Sequence, residues 1–116
     1  MKMYCKLYIN CNDREKLLAI LKSRFGNCKS IRNDHDFEGF SIHLMRNKEQ
    51  LPNGSADNSD KFLYYPTAAD LDISQNYAEI TDEILHILRE NNIHTVASCG
   101  YEDELKYNGF CKGELI

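Results

Sequence analysis

The sequence predicts an α+β fold in which a mainly antiparallel sheet of four to five strands carries two helices on one face. Three observations predict it. Residues 3–9 alternate in polarity, two later stretches repeat apolar residues at helical spacing, and the order strand–helix–strand is written twice.

In the first strand Met3, Cys5, Leu7 and Ile9 point one way and Tyr4, Lys6 and Tyr8 the other, the two-residue period of a half-buried strand. Asn12-x-x-Glu15 has the form of a capping box, in which side chains at a helix start reach backbone N–H groups within one turn. Leu17, Ile20, Leu21 and Phe25 follow at helical spacing, and Gly26 stands where a helix end favours glycine. A helix is therefore predicted over 13–25. A short strand at Ser30–Arg32 and a polar turn, Asn33-Asp34-His35-Asp36, lead to Phe40, Ile42 and Leu44, alternating with Ser41, His43 and Met45 as in a hairpin.

Residues 46–61 are polar, with Pro52 and Asn53-Gly54, and predict a long loop inside one domain. Phe62 to Tyr65 begins a strand that Pro66 interrupts, because proline donates no hydrogen bond to a sheet. Ala69, Leu71 and Ile73 resume the alternation against outward Asp70 and Asp72. A second box, Asn76-x-x-Glu79, opens a helix over 76–91 on the apolar face of Tyr77, Ile80, Ile84, Ile87 and Leu88. Residues 93–99 form the last strand. This order is that of a ferredoxin-like, split β–α–β sandwich, whose second sheet face is left open for function.

The 116 residues fit a single domain, 1–116, and 42% hydrophobic with 28% charged residues is a globular balance. No apolar run approaches the roughly 18 residues of a spanning helix. The charged start, Met-Lys-Met-Tyr-Cys-Lys, lacks the apolar run of a secretory signal. Five cysteines, an odd number with no CxxC pair, predict reduced thiols in the cytoplasm and no metal site.

Charge is uneven: residues 1–55 carry ten Lys/Arg against six Asp/Glu, and residues 56–116 carry four against twelve. The acidic half suits a basic protein partner and argues against direct nucleic-acid binding. Nothing points to a membrane partner, and the sequence does not give the oligomeric state.

Catalytic arrangements find little support. Cys99 has His94 nearby in sequence and His43 on a neighbouring strand at best, but Glu102, Asp103 and Glu104 follow it and would disfavour a thiolate. Asp70 and Asp72 share a strand face without a histidine at ligand spacing. There is no GxxxxGK[ST], GxGxxG or HExxH. The expectation is a non-enzyme without cofactor or metal.

Aromatic and acidic residues suit binding better. If the strands at 62–73 and 93–99 are neighbours, Tyr64, Tyr65 and Tyr101 gather beside Asp70, Asp72, Glu102, Asp103 and Glu104, with Asp57 and Asp60 at the rim. Tyrosines would anchor such an interface and carboxylates would steer a basic partner.

Phe62-Leu63-Tyr64-Tyr65-Pro66 and the run Val96 to Leu105 (VASCGYEDEL) resemble segments of small bacterial immunity proteins. These accompany toxins of contact-dependent growth inhibition and related polymorphic toxin systems. The resemblance covers about the second half of the chain. It implies a cytoplasmic protein that binds one cognate toxin domain, often a basic nuclease, and blocks its active site. The alternative is a small regulatory ligand-binding module of ferredoxin-like type, for which a glycine is expected between first strand and helix. Asn10-Cys11-Asn12 supplies none.

Overall fold

The computed structural model describes residues 3–47, 65–101, 104 and 105. The chain runs β1 (Met3–Ile9), α1 (Arg14–Phe25), β2 (Lys29–Ile31), β3 (Asp34–Phe37), β4 (Phe40–Arg46), β5 (Thr67–Ile73), α2 (Tyr77–Glu90) and β6 (Thr95–Cys99). The strands form one antiparallel sheet in the order β2-β3-β4-β5-β1-β6. The class is the expected α+β, and the sheet has six strands rather than four or five.

The additional strand is β3, which occupies most of the segment that composition marks as a polar turn. Asp34 and Asp36 are exposed while His35 and Phe37 are buried, so the segment alternates as a strand must. Pairing on both sides overrides the weak strand preference of Asp. The turns move to its ends. Arg32 takes φ 57° before it, and Gly39 takes φ 89° after it, a conformation that costs glycine little.

Both helix starts differ from the boxes expected. Asp13, not Asn12, caps α1, and its Oδ1 accepts the Lys16 N–H at 3.1 Å. Asn76 precedes α2 in the left-handed region (φ 53°) and makes no side-chain cap bond. Its carbonyl accepts the Ile80 N–H at 2.9 Å. The expected end of α1 is present: Gly26, at φ 89°, donates its N–H to Lys22 O at 2.9 Å.

One core holds the layers together. Cys5, Leu7 and Ile9 of β1, Ile42 and Leu44 of β4, and Leu71 and Ile73 of β5 pack in one cluster with Leu17 and Leu21 of α1 and Ile84, Leu85 and Leu88 of α2. Both helices therefore cover the same sheet face. Each fully buried Leu or Ile contributes about 1.5–3 kcal/mol over its exposed state. Phe25 of α1 meets Phe40 edge-on at 5.0 Å, and Phe40 stacks on Phe37 at 4.9 Å, which ties the outer hairpin under the first helix. Arg24 and Glu83 bridge the helices at 2.6 Å on their exposed side.

The two helical crossovers differ in span: α1 carries the chain from β1 past β5, β4 and β3 to the edge strand β2, and α2 carries it from β5 past β1 to β6. The strands at 67–73 and 95–99 are consequently not neighbours, because β1 lies between them. Among the described residues, no helix is long and apolar enough to cross a membrane.

Candidate functional site

Strand alternation sends Tyr4, Lys6 and Tyr8 of β1 to the face that carries neither of the described helices, and the register aligns three rows across it. One row runs Ile31, Asp34, His43, Asp70, Lys6, Ser98. Beside it run Lys29, Asp36, Ser41, Asp72 and Tyr4. The third row, Met45, Ala68, Tyr8 and Val96, is largely buried.

The polar rows are coupled across strands. Tyr4 O–H donates to Asp70 Oδ1 at 2.5 Å, and His43 Nδ1 meets Asp34 Oδ1 at 2.5 Å. A carboxylate only accepts, so His43 carries a proton on Nδ1. Desolvation, then the Asp70 carboxylate, push the Tyr4 phenol above its ordinary range. Lys6 Nζ lies 5.3 Å from the Tyr8 ring centroid. Tyr4 is 51% exposed and Ile31 76%, large side chains left in water on this face.

The structure divides the residues expected to form one tyrosine-anchored acidic patch. Asp70 and Asp72 lie on the helix-free face. Tyr101 does not: it is 2% exposed, belongs to the core, and stacks edge-on against Tyr77 of α2 at 4.7 Å. Its burial raises the phenol above its ordinary range. Glu104 sits with it on the α2 side, where its carboxylate accepts the Tyr77 O–H at 2.8 Å. Tyr65 precedes β5, and its carbonyl accepts Asn47 Nδ2–H at 2.8 Å. Asp57, Asp60, Tyr64, Glu102 and Asp103 lie outside the described residues.

Cys99 pairs directly with Cys5 on the core face, whereas His43 faces the opposite side three strands away. His94 is exposed just before β6.

Sequence reasoning missed Tyr4, Lys6, His43, Asp34 and Asp36 as parts of one surface. The alternation of residues 3–9 was a sufficient signal for the outward direction of Tyr4 and Lys6. Which strands flank them is a matter of topology.

At one end of the sheet two hollows, of about 280 and 450 Å³, share Arg14 and Arg46 in their walls. Asn12, Pro66 and Thr67 also line the first, and Lys6, Asn33 and His43 flank the second. The chain matches no family model, no curated protein and no solved structure.

Proposed function

We propose that the protein acts by binding rather than catalysis, docking a protein partner on the helix-free sheet face, and that it is an immunity protein which neutralises a cognate toxin domain. The observation that carries this reading is the pair of polar rows. Asp34, Asp36, Asp70 and Asp72 outnumber Lys6 and Lys29 there, and exposed Tyr4 and Ile31 supply apolar contact beside them. Such a face combines steering charge with the aromatic anchor that interfaces favour. The resemblance of the second half to immunity proteins supports the particular reading, and the interleaved crossovers support the ferredoxin-like form. No cofactor or metal enters it.

The test is a calorimetric titration against the toxin domain encoded beside this protein's gene. A 1:1 complex that Tyr4→Ala weakens by about tenfold or more, at unchanged folding, is the expected result. Absence of binding to that domain overturns the immunity reading. Binding insensitive to Tyr4→Ala, Asp70→Asn and Asp72→Asn overturns the assigned face.

The second reading, a small ligand-binding module, is favoured by one feature: the cationic hollow shared by Arg14 and Arg46.

A further inference from the structure

In a chain of net charge −4, the two hollows at the end of the sheet have no carboxylate among the described residues of their walls. Arg14, at the start of α1, and Arg46, at the end of β4, line both. Among the described residues, neither guanidinium has an ion-pair, hydrogen-bond or ring partner. Three nearby carboxylates have partners other than these arginines. Asp13 accepts from Lys16 N–H, Asp34 faces His43 Nδ1, and Asp70 accepts from Tyr4 O–H.

The walls are also tied to one another. Asn47, 4% exposed, donates its backbone N–H to Pro66 O at 2.9 Å and its side-chain amide to Tyr65 O at 2.8 Å, joining the end of β4 to the start of β5. Thr67 Oγ1 donates to Cys11 O at 2.5 Å, joining β5 to the loop before α1. The elements bearing the two arginines are thus held in register before any ligand arrives, which lowers the entropy lost on binding.

We propose that this cleft binds a phosphate monoester. The two guanidiniums present two positive charges and two planar forks of N–H donors, and Lys6 adds a third cation in the wall of the larger hollow. A monoester dianion, at about −1.5 to −2 near pH 7, matches both charges and offers three acceptor oxygens to both forks. A carboxylate or a phosphodiester brings one negative charge and leaves one guanidinium unmatched. The amides of Asn12 and Asn33, in the hollows' walls, add neutral donors for the remainder of the ligand.

The site needs no toxin domain, so it stands or falls apart from the docking face. The experiment is an amide-resolved NMR titration of the full chain with phenyl phosphate, with acetate, dimethyl phosphate and a short single-stranded oligonucleotide as comparison ligands. Saturable shifts at Asn33, Asn47 and Ala68 are expected, with phenyl phosphate at least about tenfold tighter than acetate or dimethyl phosphate. Arg14→Gln and Arg46→Gln should each weaken it by about tenfold or more. Both residues are exposed and have no ion-pair partner among the described residues, so the variants should keep the parent's unfolding midpoint. Lys22→Gln, eight residues along α1 from Arg14 and in neither hollow, should leave binding unchanged. Equal affinity for acetate, or binding unaltered in both arginine variants, overturns the proposal. So does the absence of saturable shifts, or an oligonucleotide that outcompetes the monoester.

Discussion

Thr81 has one hydroxyl proton and two hydrogen-bond partners, which fixes the roles of its neighbours. Its Oγ1 donates to Tyr77 O at 2.7 Å, so the bond at 2.9 Å to Tyr101 must be donated by the tyrosine. Tyr101 is thereby a satisfied core residue, and its removal is a stability event. Tyr101→Phe leaves the ring and deletes one buried hydrogen bond, and should cost about 1 kcal/mol in urea unfolding. Tyr101→Ala should cost about 3–5 kcal/mol by leaving a cavity. A Tyr101→Ala protein that unfolds like the parent but loses partner binding would contradict that placement. His35 acts through protons. Burial, then Lys22, hold its pKa below the ordinary 6.5, and its Nδ1 lies 2.7 Å from Ser30 Oγ. The unfolded chain therefore binds the extra proton first. The stability that His35 confers is complete above about pH 6.5, falls as pH drops below that value, and levels off beneath the folded pKa. His35→Gln should flatten this part of the acid limb in unfolding free energy measured from pH 7.5 to 5. An unchanged slope would show that His35 does not titrate differently in the two states.

At the scale of elements, both helices were legible because apolar residues at a 3.6-residue period must bury one face, whatever the surroundings. Their caps were less legible, since Asn12 and Asp13 are adjacent and either could start the helix. The structure makes a specific distinction between them. Asp13→Ala should destabilise by about 1 kcal/mol, because the Lys16 N–H loses its acceptor, whereas Asn12→Ala should stay within about 0.5 kcal/mol. At α2 the same logic runs through the backbone. Asn76→Gly should be neutral or stabilising and Asn76→Ala destabilising by about 1 kcal/mol, since φ 53° strains a Cβ without an Asn side chain to compensate. Thermal or urea unfolding of the four variants checks the set. The reverse order between Asp13→Ala and Asn12→Ala would restore the capping box that the sequence suggests. β3 was illegible for another reason. Asn33-Asp34-His35-Asp36 has the composition of a turn, and only pairing to β2 and β4 makes it a strand.

At the scale of the molecule, the division into a basic first half and an acidic second half does not survive folding. β1, from the basic half, is inserted between β5 and β6 of the acidic half, and Lys6 is flanked by Asp70 and Ser98. Sequence reasoning placed Tyr101 beside Asp70 because it paired successive strands. β1 separates the two strands instead, and Tyr101 lies in the core with the helices while Asp70 faces the other side of the sheet. What remains is a finer pattern: carboxylates on β3 and β5, cations on β1 and β2, and an arginine-lined cleft at one end. Strands lie about 4.8 Å apart, so a six-position row spans about 24 Å, or some three Debye lengths of about 8 Å at physiological salt. A basic partner approaching from solution senses the net acidity of the face at low salt, and only its nearest charges at high salt. Its association rate should therefore fall steeply with ionic strength, while the dissociation rate changes little. Asp36→Asn and Asp72→Asn should lower the association rate and its salt slope. Tyr4→Ala should mainly raise the dissociation rate, because aromatic contact is short-ranged and unscreened. Kinetic titrations of the parent and these three variants from 25 to 500 mM salt separate the effects. An association rate that does not respond to salt, or a Tyr4→Ala effect confined to association, would mean that the partner does not dock through these rows.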